Sequence, residues 1–194
     1  MWFSISSEAD WFAKEGEFTR VNFQEIYPER EMFFDHNKIN IVFHIRNLAR
    51  NEGKGIHKNM QAHECFIALK YLHLWQVNKT IGKIYFIGND SDSKGFDLKT
   101  IRLLAPGINI VDRRNELSLE NILWLMNRSF LFFGKDSGMV HLAAASKIPN
   151  ILSYGFQSVN WFPKCKQSRI VESFHKVTDY WKVMECMNNF LRKL

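Results

Sequence analysis

The chain predicts an α/β fold, a parallel sheet between two helical layers, and three observations carry that reading. Short apolar runs rich in β-branched and aromatic residues recur along its 194 residues, at 39–46, 83–88, 108–112, 130–133 and 150–154. Longer segments with helical apolar spacing stand between them. The breaks are filled with Gly, Pro, Asn, Asp and Ser, and strands separated by helices require parallel pairing with both faces covered.

In order, residues 39–46 form a first strand, followed by a polar loop with Gly53 and Gly55. Apolar periodicity from 59 to 77 reads as a helix. Residues 83–88 are a buried strand ending in Gly88, and Asn89-Asp90-Ser91-Asp92-Ser93 is a polar loop. A short helix over 96–104 is stopped by Pro106-Gly107, and 108–112 is a third strand. Ser118 caps a helix that runs to Asn127, and residues 130–133 lead as a fourth strand to a stop at Gly134. Residues 150–154 and 169–171 supply two more strands. A final helix from about residue 178 carries Trp181, Val183, Met184, Met187, Phe190 and Leu191 at helical spacing. The result is a Rossmann-like domain over residues 38–194, with ligands expected at the carboxyl ends of the strands. Residues 1–37 break the rhythm and suit a linker or partial layer, with Glu15, Glu17, Glu25 and Glu29 set among Phe18, Phe23, Tyr27 and Phe33.

Composition narrows the function. Apolar residues make up 46% of the chain, enough for a large core, which excludes a disordered class. A net charge of +6 favours an anionic partner. The basic residues are dispersed, without a Lys/Arg block or aromatic-basic interleaving, so nucleic acid is not the expected partner. Cys65, Cys165 and Cys186 form no CxxC and suit a reduced, cytoplasmic setting. No signal-peptide pattern opens the chain, and no run approaches the roughly 20 apolar residues of a membrane span, leaving at most peripheral membrane contact. His57, His63, Cys65 and His73 share a segment, but His63 and Cys65 point to different helix faces, His57 lies outside the expected helix, and no metal site is expected.

The most informative segment is Gly134-Lys135-Asp136-Ser137-Gly138-Met139-Val140-His141-Leu142-Ala143-Ala144-Ala145. A strand gives way to a helix whose first-turn amides have no internal acceptor and whose dipole places about half a positive charge there. Asp136 is the expected cap, Ser137 a hydroxyl donor, and Gly138 leaves the backbone open to a phosphate oxygen. His141 follows one turn later. Arg46, at the end of the first strand, offers a planar fork of donors suited to a diphosphate, and Lys54 follows in its loop. Asp90, after the second strand, is placed to bind ribose hydroxyls.

This segment resembles the signature of heptosyltransferase-type glycosyltransferases, Asp-(Ser/Thr)-Gly-x-x-His-Leu-x-Ala-Ala. Ile148-Pro149-Asn150-Ile151-Leu152-Ser153-Tyr154-Gly155 is similar to the family's next strand and glycine turn, and Trp161-Phe162-Pro163 to its aromatic loop. Leu117-Ser118-Leu119-Glu120 resembles the segment before the signature strand. The likeness covers about residues 39–172, the carboxy-terminal, donor-binding half of a two-domain GT-B enzyme of glycosyltransferase family 9. The acceptor-binding half has no counterpart in it.

The resemblance implies an inverting transferase that moves a sugar from a nucleotide diphosphate sugar to a glycan or lipopolysaccharide-type acceptor. The donor is a substrate, and no separate cofactor is implied. Arg46, Lys54, Asp90, Asp136, Ser137, Gly138 and His141 would bind the donor, and Leu117 and Ser118 would flank its base. The catalytic base belongs to the other half and is unassigned here. That half would come from a second chain, from a copy of this one, or from a longer protein of which this is a part. Alternatives stay open, an interaction domain that uses exposed aromatics among them. His44-Ile45-Arg46 also resembles the diphosphate element of fucosyltransferases that use a guanosine donor, and the domain could bind nucleotide without transferase activity.

Overall fold

A computed structural model describes residues 38–45, 60, 62–76, 81–88, 97–135, 137–155, 163, 165–174 and 177–193. The chain order is β1 (Ile39–His44), α1 (Ala62–Gln76), β2 (Ile81–Ile87), α2 (Leu98–Leu104), β3 (Asn109–Asp112), α3 (Leu119–Asn127), β4 (Leu131–Lys135), α4 (Gly138–Ala145), β5 (Asn150–Gly155), β6 (Ser168–Phe174), β7 (Val177–Thr178) and α5 (Tyr180–Leu191). The sheet order is β3-β2-β1-β4-β5-β6-β7. β1 to β6 pair in parallel, and β7 returns antiparallel to β6. The α/β, Rossmann-like fold is therefore present. The strand order reverses between β1 and β4, where this topology opens a crevice at the strand ends.

Alternation along the strands divides the core into two layers. Ile41, Phe43, Ile84, Phe86, Leu131 and Phe133 pack with Leu69 and Leu72 of α1, Ile101 of α2, and Met187 and Phe190 of α5. Phe43 is central: its ring stacks on Phe86 at 5.6 Å and tilts against Phe133 at 4.8 Å. On the other face Val42, Tyr85, Phe132 and Ile151 meet Ile122, Leu125 and Met126 of α3 and Val140, Ala143 and Ala144 of α4. Small residues let α4 lie close to the sheet, which fixes where its first turn emerges.

The boundaries of the expected elements agree with the sequence to within two or three residues, and the offsets have local causes. α2 starts at Leu98 because the Asp97 carboxylate accepts from the amides of Lys99 (2.9 Å) and Thr100 (3.2 Å). α5 starts at Tyr180 because Asp179 accepts from the Lys182 amide. β4 does not stop at Gly134, since pairing with β5 continues through Lys135↔Tyr154. β7 has only two residues, too few to show a period. Among the described residues no helix is long and apolar enough to cross a membrane.

Candidate functional site

The carboxyl ends of β1 and β4 meet at the topological switch, where His44 pairs in register with Gly134. Two residues beyond β4, α4 begins with Ser137 at its cap position and Gly138 as its first residue. The cap position is thus held by Ser137, one residue after the expected one. Ser137 is extended, with φ −167° and ψ 168°, and makes no side-chain hydrogen bond to the helix amides. Its Oγ lies 3.1 Å from Nδ1 of His44 instead. Ser118, by contrast, caps α3 in the ordinary way, accepting from the Asn121 amide at 3.3 Å.

The first turn of α4 is correspondingly open. Val140 N–H is taken by the Ser137 carbonyl at 3.2 Å, and the amides of Gly138 and Met139 have no acceptor within the helix. Gly138 is exposed, and a Cβ built there would meet nothing within 4 Å. Among the described residues beyond its own helix, none demands a glycine there, and the missing side chain leaves room outside the helix. His141 sits half-buried three residues further on.

Gly134 and Gly88 have tighter roles. A Cβ at Gly134 would lie 3.1 Å from the His44 Cβ and 3.0 Å from the Phe132 ring, so its absence lets His44 and Phe132 pack side by side. Gly88, at the end of β2, has φ +142°, and a Cβ there would strike the Ile45 carbonyl at 2.6 Å. Its carbonyl accepts from the Asn115 amide at 2.8 Å, folding the β3–α3 loop back over β2. Within that loop Arg114 is buried and grips Asp112 with Nε at 2.9 Å and Nη2 at 2.8 Å. Burial pushes the Asp112 carboxyl up, but hydrogen bonds from Arg114 and the charges of Arg114 and Arg102 outweigh it and hold the group below its usual value.

A second buried polar pair lies beside the signature. Lys135 Nζ is 3.0 Å from Glu64 Oε1, with both side chains about 95% buried (6% and 5% exposed). Burial lowers the lysine's pKa, and the Glu64 carboxylate opposes that fall. Glu64 lies in the first turn of α1, so the pair ties that helix to the end of β4. Desolvation, with Glu64 adding to it, pushes the neighbouring Cys65 thiol upward, leaving it inert. Among the described residues no group of His, Cys, Asp and Glu is placed to hold a metal ion.

Of the donor-site residues named from sequence, Ser137, Gly138 and His141 come together on the first turns of α4. Leu117 packs against the α3–α4 side of the core, next to Ser118 at the start of α3. Arg46, Lys54, Asp90 and Asp136 lie outside the described residues. Sequence reading did not assign His44, Lys135 or Glu64 to the site. His44 carried one signal, its place at the end of the first strand; Glu64 carried none.

Comparison with solved structures gives the same architecture. The chain is similar to the crystal structure of the glycosyl transferase family 9 from Veillonella parvula DSM 2008, with TM-score 0.60 and 16% identity, over 85% of this chain and 49% of that one. It is also similar to the structure of E. coli ADP-heptose lps heptosyltransferase II, with TM-score 0.60 and 15% identity, over 84% of this chain and 50% of that one. Such identities show the fold alone, and the chain spans about half the length of each structure. A search of curated proteins finds no match. The sequence pattern of Glycosyltransferase family 9 (heptosyltransferase) matches residues 56–189, more than half of the chain and all of the signature, and the chain accordingly belongs to that family.

Proposed function

We propose that this chain binds a nucleotide diphosphate sugar and forms the donor-binding part of a glycosyltransferase acting on a glycan or lipopolysaccharide-type acceptor. The observation that carries the reading is the open first turn of α4 at the β1/β4 switch, with Ser137 turned off the helix and Gly138 facing open space. Helix-start amides that grip the leaving nucleoside diphosphate most strongly as its charge grows lower the barrier to transfer. Ser137 adds a hydroxyl, and His141 borders the same turn. Arg46, Lys54, Asp90 and Asp136 complete the proposed contacts, with Leu117 and Ser118 beside the base. Transfer with inversion also needs a base to take the acceptor's proton, and that group is expected from an acceptor-binding half. An adenosine donor is the first to try, since ADP-heptose is named for the similar E. coli structure.

Calorimetry with ADP, GDP and UDP tests this. At least one should bind, and no binding by any of the three at millimolar concentration would sink the reading. Gly138→Val should weaken that binding at least about tenfold, a difference of about 1.4 kcal/mol, because the added methyls fill space meant for phosphate. Its thermal midpoint should hold, since beyond its own helix and chain neighbours no described residue lies within 4 Å of the new Cβ. Unchanged affinity in this variant would move the nucleotide away from α4.

A further inference from the structure

We infer that His44 is a positioning residue for the diphosphate site: it draws the Ser137 hydroxyl away from the α4 amides and aims it at the incoming anion. The inference rests on the reading of α4 as the diphosphate seat and deepens it. A serine at a helix cap ordinarily turns its oxygen onto the second or third amide of the helix. Ser118, Asp97 and Asp179 all cap in this manner. Ser137 does not, and the group that holds it is the His44 imidazole, 3.1 Å away and 93 residues distant in sequence.

The imidazole is built in rather than resting on the surface. His44 is 7% exposed, and its ring lies nearly parallel to that of Phe132, with centroids 6.5 Å apart and planes 17° apart. Gly134 keeps the space beside its Cβ clear, and Gly88 lies on its other side, 3.8 Å from Cδ2 to the position of a missing Cβ. Two positions without side chains and one aromatic ring thus fix where Nδ1 points. A hydroxyl has a single proton to give. When Nδ1–H donates to Oγ, the serine keeps its own proton for a phosphate oxygen, and the Met139 amide is left for a second one. Without His44 the serine falls back onto the Met139 amide, satisfying internally the group the ligand needs.

The test is a double-mutant cycle read by calorimetry with whichever of ADP, GDP or UDP binds best. His44→Ala should weaken binding about tenfold, and His44→Asn, whose amide can donate from nearly the same point, should restore most of it. In a Ser137→Ala background, His44→Ala should change affinity less than about twofold, because no hydroxyl remains to fold back. Hydrogen exchange in the unliganded protein gives a second readout: the Met139 amide should slow in His44→Ala and not in the double variant. Equal, additive losses in both serine and alanine backgrounds, or a Met139 amide unaffected by His44→Ala, overturn this inference and leave the nucleotide site standing. Failure of the wild-type chain to bind any of the three nucleotides overturns both.

Discussion

At the scale of single residues, two serines at helix caps are held differently, Ser118 by its own helix and Ser137 by His44. Ser118 was legible as a cap because its acceptor role is completed three residues on, at Asn121. Ser137 looks the same in sequence, yet its oxygen goes to His44, and no local pattern encodes a contact across 93 residues. The Lys135–Glu64 pair is a second such case, joining a signature residue to a helix that precedes it by a full strand and more. Its energetics give a sharp expectation. Glu64→Gln takes the carboxylate charge from beside a buried ammonium and should destabilise the protein by about 3–5 kcal/mol. Replacing both partners, as in Glu64→Leu with Lys135→Met, should recover most of that loss in urea unfolding, because the desolvation penalty disappears with the charges. If the double replacement is as unstable as the single one, the uncompensated charge is not what the single variant loses.

Elements were legible in type and rough extent, since amphipathic period and cap chemistry act over three or four residues. What the sequence left open was how the loops between them fasten onto neighbouring strands. The β3–α3 loop is the clearest example: Arg113 N–H reaches the Phe86 carbonyl, Asn115 N–H reaches Gly88, and Arg114 doubles back to clasp Asp112. Asn115 takes a left-handed φ of 60° to make the turn, a conformation asparagine tolerates better than most residues. The Asp112 carboxyl is held below its unfolded value, near 3.9, so its contribution to stability is complete above that pH and is lost as pH falls through the lower folded value. Asp112→Asn should therefore cost about 1–2 kcal/mol at neutral pH, with the exposed part of the carboxyl tempering the loss. The deficit should shrink as the medium is acidified below pH 4. A deficit that stays constant from neutral pH to pH 2 in denaturant titrations would show that the charge is not what the loop uses.

At the scale of the whole molecule, one sheet carries two unlike layers, and Phe43 sits where β1, β2 and β4 converge. Phe43→Ala should cost about 3–5 kcal/mol, visible as a lower denaturant midpoint with an unchanged slope, since the cavity lies between a stiff sheet and three helices and cannot collapse. A loss under about 1 kcal/mol would mean that α1, α2 and α5 shift to fill it. The sequence by itself determined the alternation of strands and helices, the burial of both sheet faces and the family signature at 134–145, because each is written in the local order of residue types. Only the tertiary structure decided the order β3-β2-β1-β4-β5-β6-β7, and with it the meeting of His44, Gly134 and Ser137 at one crevice. Strand order is set by which faces can be buried together, a property of the assembled layers that no single segment contains.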